Sequence, residues 1–250
     1  MRAVIVTRYP RVDTPSWKRR LAQGLEDAGF EIAALYSRAH TIDQARAGLQ
    51  ENGLQVLKRY AGLRRGQDAG ADGSTTLASW LEQRDAPVVS ARRLDDPDAL
   101  AALRALEPDL LVLAGADIVP SAVLDVPKVG TINPHYGMLP AYRGMNVTEW
   151  SVFHGDPIGV TVHLVDAGID TGDILLDEQI PIEPGDSFER LRTKHQDVAA
   201  RLLVEAAIGL RDGTARRVPQ RADEGKQYYR MHPLLRRAAE ARLAQVAGSG

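Results

Sequence analysis

The sequence predicts an α/β protein with a doubly wound, mostly parallel sheet, helices on both faces and a short helical extension at its C-terminal end. Apolar runs of strand length alternate with helical patterns through the first half of the chain. The run from Pro108 to Ala114 is apolar almost throughout, which is typical of a strand buried on both faces of a parallel sheet. With 250 residues, 44% hydrophobic and 26% charged, the chain fits one globular domain. We expect that domain over residues 1–218 and a C-terminal arm and helix over residues 219–250.

The first elements follow from local residue patterns. Ala3–Thr7 is a β-branched run that predicts a strand. Thr14-Pro15 places a capping hydroxyl before a proline suited to the first helical position, and apolar residues at helical spacing then predict a helix that ends at Gly29. Phe30–Tyr36 predicts the second strand. The glycine-rich segment Gly62–Ser74 has little to bury and predicts an exposed loop.

The alternation then continues to the C-terminal end. Ser74 predicts a helix cap, followed by a helix through Gln83, a strand over Pro87–Ser90 and a helix that starts at Asp96-Pro97 and ends near Leu106. The second half adds further strands and helices, a polar aromatic arm and a final amphipathic helix. These are strands Val129–Asn133, Ile158–Val165 and Ile174–Ile182, helices Asn146–Phe153 and Ser187–Arg211, the arm Lys226–Tyr229 and the helix Pro233–Val246.

Composition excludes several classes of function. The chain has no cysteine, which excludes disulfides, thiolate metal sites and thiol catalysis. Its 31 basic and 33 acidic residues give a net charge of -2, which indicates no general affinity for nucleic acid or acidic membranes. No apolar stretch approaches the ~18 residues that a membrane span needs. We therefore expect a soluble, cytoplasmic protein with neither a nucleic acid nor a membrane as its partner.

One group of polar motifs follows the predicted strands, where open α/β sheets bind their ligands. Asn133-Pro134-His135 lies at the end of a strand, and its two-residue spacing sends Asn133 and His135 to the same face. The turn-forming loop Leu139–Gly144 follows. After one more helix come the strand residues Gly159–His163 and then a glycine-rich turn that carries Asp166 and Asp170. We expect Asn133, His135 and Asp170 to lie around one cleft at the carboxyl ends of the strands, with His135 and Asp170 at a solvent-accessible strand edge.

In order and spacing, these motifs resemble the folate-dependent formyltransferases, a superfamily that includes the methionyl-tRNA, glycinamide ribonucleotide and amino-sugar N-formyltransferases. The segments that carry the resemblance are Asn133-Pro134-His135, Leu139-Pro140, Arg143-Gly144, Gly159–His163 and Ile169-Asp170-Thr171-Gly172. The resemblance runs from about Leu103 to Leu203. It implies a formyltransferase-like catalytic domain that uses 10-formyltetrahydrofolate as cosubstrate and acts in sugar biosynthesis or specialised metabolism.

The resemblance implies that Asn133, His135 and Asp170 are catalytic. Formyl transfer to an amine passes through a tetrahedral intermediate with a negatively charged oxygen, which the amide of Asn133 would stabilise by hydrogen bonding. His135 would donate to the same oxygen and help to move the proton that leaves the amine. Asp170 would orient that imidazole or a water. His163 alternates with apolar residues, so we interpret it as structural or supporting.

The resemblance also implies where the two substrates bind. The folate pocket would be lined after the buried strand and along the glycine-rich turn, with residues Leu113, Gly115, Ile118, Val165, Asp166, Gly168, Ile169 and Asp170. On the acceptor side we expect Tyr136, Met138 and Arg143. For Arg143, a salt bridge that fixes its loop is an equally good interpretation. His40, His154, His195 and His232 show no metal-ligand spacing, so we expect no metal.

Departures from the family pattern narrow the acceptor. Tyr136-Gly137-Met138 replaces the family's Ser-Leu-Leu, and the first predicted strand leads into Arg8-Tyr9-Pro10-Arg11 rather than a glycine-rich phosphate loop. The residues after Val218 are too few for the C-terminal barrel of the initiator-tRNA enzymes. We therefore expect a small amine acceptor, such as an amino-sugar nucleotide or an amino-acid-derived metabolite, and leave a homodimer open.

Two other functions remain as alternatives. A formyltetrahydrofolate hydrolase would use the same three residues with water in place of the amine. A non-catalytic folate- or nucleotide-binding module would keep only the scaffold, against which the presence of all three residues argues. A dinucleotide-dependent oxidoreductase is disfavoured, because no Gly-x-Gly-x-x-Gly motif follows a predicted strand.

Overall fold

A computed structural model of the chain describes residues 1–8, 17–37, 76–116, 118–221 and 223–248. The chain divides into two compact units, Met1–Lys128 and Val129–Gly250. The predicted loop Gly62–Ser74 and the caps at Thr14-Pro15 and Ser74 lie outside the described residues. The domain boundary expected at residue 218 stays a prediction.

The first unit contains a parallel sheet with its helices. Its strands are β1 (Arg2–Arg8), β2 (Glu31–Ser37), β3 (Val88–Ala91) and β4 (Leu110–Leu113), and they pair in the order β3-β2-β1-β4. Its helices are α1 (Trp17–Asp27), α2 (Leu77–Glu82), α3 (Pro97–Ala105) and α4 (Ser121–Leu124). All four residues of β4 are buried, as its continuous apolar pattern predicts.

Local chemistry explains how these helices begin and which face they bury. Thr76 caps α2 because its hydroxyl accepts a hydrogen bond from the backbone N–H of Ser79. Helix α1 buries Trp17, Leu21 and Leu25, which recur at helical spacing. The short helix α4 follows Pro120 and was not predicted from the sequence.

The second unit contains an antiparallel sheet and two long helices. Strands β5 (Gly130–His135), β7 (Gly159–Leu164) and β8 (Ile174–Gln179) pair in that order, and β6 (Tyr142–Gly144) pairs with β9 (Lys226–Tyr228). The helices are α5 (Val147–His154), α6 (Phe188–Asp212) and α7 (Pro233–Gly248). Helix α6 packs against β5, β7 and β8, and α7 packs against α5.

The segment Lys226–Tyr229, which the sequence predicts as a polar aromatic arm, contains a short strand. Three of its residues form β9, which pairs with β6 and ties this segment back to the loop after β5. Gly225 makes that approach possible, because a side chain there would meet the carbonyl oxygen of Pro140. None of the helices within the described ranges combines the length and the apolarity needed to cross a membrane.

Candidate active site

The end of strand β5 presents Asn133 and His135 on one face, as their spacing predicts. In the antiparallel register, Asn133 lies opposite His163 and His135 lies opposite Thr161 on β7. The amide nitrogen Nδ2 of Asn133 is 3.2 Å from Nε2 of His163. The pairing of β7 with β8 is irregular at Val162/His163, a bulge of the kind that redirects side chains next to sites.

Asp170 enters this group from the turn between β7 and β8. Its Oδ2 atom is 3.3 Å from Nδ1 of His135, and its Oδ1 atom is 3.4 Å from Nε2 of His163. The backbone N–H of Gly144 on β6 donates to Oδ2 at 2.8 Å. The carboxylate therefore bridges two imidazoles and a backbone donor, while Asn133 joins the network through His163.

Side-chain hydrogen bonds and a close backbone approach shape the turn that carries Asp170. The Oδ1 atom of Asp166 accepts hydrogen bonds from the backbone N–H of Gly168 at 3.0 Å and from the hydroxyl of Thr171 at 2.7 Å. Gly172 lies so close to β7 that a side chain there would meet the carbonyl oxygen of Leu164. Asp170 itself adopts the left-handed conformation, with φ of 54°.

The hydrogen-bond partners of His163 define its role in the network. Its Nδ1 atom lies 2.7 Å from the carbonyl oxygen of Leu164, which only accepts, so Nδ1 carries a hydrogen. When Nε2 is unprotonated it accepts from the amide of Asn133, and when it is protonated it donates to Asp170. His163 is only 2% exposed and lies between Asn133 and Asp170, and in each state its Nε2 atom serves one of these two partners.

His135 has an acceptor at each ring nitrogen. Its Nε2 atom donates to the carbonyl oxygen of Tyr142 at 2.7 Å, and Nδ1 faces Asp170. Burial lowers the pKa of His135, while the charge of Asp170 acts in the opposite direction. Burial alone would raise the pKa of Asp170, but the hydrogen bond from His163, the charge of His135 and the Gly144 N–H lower it to about 2. The site therefore holds an ionised carboxylate beside an imidazole that can gain a proton.

The expectation that His135 and Asp170 are solvent-accessible is wrong. The side chain of His135 is 6% exposed and that of Asp170 is 16% exposed. The residues that follow β5 contact both side chains, because the carbonyl of Tyr142 accepts from His135 and the N–H of Gly144 donates to Asp170. The buried hydroxyl of Thr161 donates to the carbonyl of Gly137 and accepts from the N–H of Leu139, which holds the loop after β5 in place.

The expected acceptor-side residues do not join this network directly. The ring of Tyr136 lies against His195 on α6, with 5.3 Å between ring centroids, and the sulfur of Met138 lies beside Gly159 on β7. Strand alternation explains this, because Tyr136 is one residue out of phase with Asn133 and His135. Arg143 is 5% exposed and donates to Gln220 and to the carbonyl of Arg221. These contacts favour the interpretation that Arg143 fixes its loop, and it does so through hydrogen bonds rather than a salt bridge.

The expected folate residues lie in both units. In the first unit, Leu113 ends the buried strand β4, Gly115 has φ of 74° and Ile118 is 82% exposed. In the second unit, the turn after β7 contains Ile169, whose side chain is 37% exposed. This turn also carries Val165, Asp166, Gly168 and Asp170. Each segment thus presents a large exposed apolar side chain. Across the described residues, no group of three or more His, Asp or Glu side chains is arranged to hold a metal ion.

Comparison with known proteins identifies the family. A sequence profile described as formyl transferase matches residues 12–207. The chain belongs to the formyl transferase family. The match includes Asn133, His135, His163 and Asp170 but ends before Gln220.

The names of similar proteins in the formyl transferase family indicate different acceptors for the formyl group. The chain is 42% identical over 144 residues to a methionyl-tRNA formyltransferase of Synechococcus sp. (strain JA-3-3Ab), an alignment that covers 57% of this chain and 44% of that protein. The chain spans about half the length of the curated relatives it matches. It is 25% identical to the solved formyltransferase PseJ of Anoxybacillus kamchatkensis, in complex with UDP-4,6-dideoxy-4-formamido-L-AltNAc and tetrahydrofolate. That match has a TM-score of 0.50 and covers 61% of this chain and 79% of PseJ.

A third formyl transferase supports the fold alone. The phosphoribosylglycinamide formyltransferase of Bacillus halodurans is 21% identical, with a TM-score of 0.60, and the match covers 84% of this chain and 95% of that structure. The α/β fold class predicted from the sequence is confirmed. Sequence reasoning assigned His163 only a supporting place and missed Gln220, whose contacts lie 48 to 77 residues away along the chain.

Proposed function

We propose that this chain transfers a formyl group from 10-formyltetrahydrofolate to the amine nitrogen of a small molecule. The observation that carries the proposal is the network of Asn133, His163, Asp170 and His135, with neighbouring atoms 3.2 to 3.4 Å apart. Family membership supports the reaction class. The similarity to PseJ, solved with tetrahydrofolate and a formamido sugar nucleotide, supports both the folate and the small acceptor.

Asn133 is suited to stabilise negative charge on the formyl oxygen. Its amide nitrogen carries two hydrogens, of which the contact with His163 uses one. The second can donate to the oxygen that becomes negatively charged as the amine adds to the formyl carbon. His163 would hold the amide in that orientation, so its loss would affect the rate through Asn133.

His135 and Asp170 are suited to receive the proton that the amine loses. At neutral pH the lowered pKa of His135 keeps its imidazole uncharged, while Asp170 is ionised. When His135 gains a proton, Nε2 donates to Tyr142 and Nδ1 donates to Asp170, so both N–H groups are satisfied. The pair can thus hold a transferred proton without leaving a buried donor unpaired.

The segments assigned to the folate fit a flat, partly apolar ring system. Ile118 and Ile169 expose apolar surface, and the turn from Val165 to Asp170 presents main-chain groups for hydrogen bonding. When bound, the folate supplies the activated formyl carbon. Within the second unit, its proposed contacts are Val165, Asp166, Gly168, Ile169 and Asp170. The assignment of Leu113, Gly115 and Ile118 in the first unit stays a prediction from the sequence.

A second acceptor is favoured by a specific observation. The relatives that are 35 to 42% identical to this chain are named methionyl-tRNA formyltransferases, so methionyl-tRNA is the principal rival acceptor. The net charge of -2 favours a small molecule over RNA. A homodimer and a cytoplasmic location remain part of the proposal.

One assay separates these acceptors. The release of tetrahydrofolate is followed by absorbance with the purified chain and 10-formyltetrahydrofolate, with amino-sugar nucleotides, small amino acids, methionyl-tRNA or no acceptor. We expect release that depends on a small amine. Preference for methionyl-tRNA would overturn the small acceptor. Fast release without any acceptor would indicate a hydrolase, and no folate binding would indicate a non-catalytic module.

A further inference from the structure

Gln220 uses its whole side-chain amide in contacts around Asp170. Its Nε2 donates to the carbonyl oxygen of Asp170 at 3.0 Å and to that of Gly172 at 2.6 Å. Its Oε1 accepts from Nε and Nη2 of Arg143 at 3.2 and 3.0 Å. The orientation of the amide is fixed chemically, because a guanidinium only donates and a carbonyl only accepts.

These contacts join the two segments that meet at the catalytic carboxylate. Arg143 lies on β6 next to Gly144, whose N–H donates to Asp170 Oδ2. Gln220 binds Asp170 at its main chain, because Nε2 of Gln220 donates to the carbonyl oxygen of Asp170. It therefore supports a residue in the left-handed conformation, which is unfavourable for residues other than glycine. Without Gln220, the carbonyl groups of Asp170 and Gly172 would lose this donor, and the buried guanidinium of Arg143 would lose one of its two acceptors.

Gln220 is itself held in place by the segment around it. Val218 exchanges two backbone hydrogen bonds with Ile174 at the start of β8, each of 2.9 Å. Arg143 also donates to the carbonyl of Arg221 at 2.9 Å. This segment follows the residues that the family profile matches, 12–207, so a part of the chain outside that match reaches the site.

We propose that Gln220 is a positioning residue for formyl transfer, which fixes the main chain of Asp170 and thereby the distances from its carboxylate to His135 and His163. The kinetic part of this proposal rests on the proposed function. Gln220 contacts no reacting atom. Its loss would therefore lower kcat by a larger factor than it weakens the binding of reduced folate.

Gln220→Glu is the primary test, because a carboxylate still accepts from Arg143 but offers no N–H to Asp170 and Gly172. Gln220→Leu removes both sets of contacts. Gln227→Leu on β9 is the matched control, since Gln227 is an exposed glutamine in the same segment. We expect kcat to fall at least tenfold in both Gln220 variants, the Kd for tetrahydrofolate to rise by a smaller factor than kcat falls, and the control to stay unchanged.

A second readout does not depend on activity. The side-chain carboxyl of Asp170 is titrated by ¹³C NMR and assigned by its absence in Asp170→Asn. We expect its pKa to rise from about 2 towards its ordinary value of 3.8 in Gln220→Leu, which adds no charge, because the carboxylate moves from its donors. Gln220→Glu is left out of this titration, since its new negative charge would raise the pKa of Asp170 by repulsion alone. An unchanged Asp170 titration, or an unchanged kcat, would overturn the proposal.

The two proposals can fail separately. If the parent transfers formyl to no acceptor, the proposed function fails, while the titration of Asp170 still decides whether Gln220 positions it. If Gln220→Leu does not fold, the kcat of Gln220→Glu decides, because that variant keeps Arg143 paired. A parallel loss of folate affinity and kcat with an unchanged Asp170 titration would assign Gln220 to the fold alone.

Discussion

Replacing Asp170 with asparagine tests the electrostatics of the site. Asparagine has nearly the same shape and tolerates the left-handed conformation that Asp170 adopts, so the change removes charge rather than backbone compatibility. The pKa of Asp170 is lowered from 3.8 to about 2 in the folded chain. That difference corresponds to about 2 kcal/mol of stability contributed by the ionised carboxylate.

The sign of the pH dependence follows from the lowered pKa. Because the folded chain holds the charged form more strongly than the unfolded chain does, the contribution is complete above pH 4 and is lost as the pH falls towards 2. At pH 7 we expect Asp170→Asn to melt roughly 4–8 °C below the parent, at about 2–4 °C for each kcal/mol in a chain of this size.

Thermal unfolding followed by circular dichroism from pH 7 to pH 2 measures this difference. Asp177→Asn is the control, because Asp177 lies exposed on β8 in the same unit. We expect the control to match the parent at every pH. Equal melting temperatures for the parent and Asp170→Asn at pH 7 would refute the stabilising role of the Asp170 carboxylate, and so would a difference that persists unchanged down to pH 2.

Four other predictions concern catalysis and packing. Asn133→Ala should lower kcat by about a hundredfold or more, the usual effect of losing one oxyanion donor, and steady-state assays with saturating folate measure it. His163→Phe should lower kcat at least tenfold with little change in folate Kd, whereas the exposed His154→Phe should keep the parental rate; equal rates for the two variants would remove His163 from the network. In the pH profile of kcat/KM, the limb that arises from His135 should lie below pH 6.5, because burial lowers the pKa of that residue. The profile is measured with an acceptor amine of low pKa, so that the titration of the amine does not overlap this limb. A limb above pH 6.5 that disappears in His135→Ala would contradict the assignment. Arg143→Leu should lower the melting temperature by several degrees, because Gln220 and Arg221 lose a buried donor, and an unchanged melting temperature would contradict that role.

The sequence predicted most of the elements, because their signals are local. Alternating and helical apolar patterns located β5, β7 and α6 to within a few residues. The strands β6 and β9 have three residues each and depend on a contact between segments 84 positions apart, so no local pattern marks them.

The candidate site was predictable in its composition but not in its connections. The two-residue spacing predicted that Asn133 and His135 share a face, and the register confirms this. His135 is buried and donates to the carbonyl of Tyr142 in the segment after β5, a contact that the periodicity of β5 does not describe. His163 alternates with buried valines like any core residue, and only the bulge at its position and the left-handed Asp170 bring it into the network.

The transfer of a labelled formyl group tests the central claim most directly. The purified chain is mixed with 10-formyltetrahydrofolate carrying ¹³C in the formyl group and an amino-sugar nucleotide, and the label is followed by NMR in a single turnover. We predict that the signal moves from the folate to a formamide on the acceptor in the parent and stays on the folate in His135→Ala. Label that appears as free formate, or transfer at the parental rate in His135→Ala, would contradict the account.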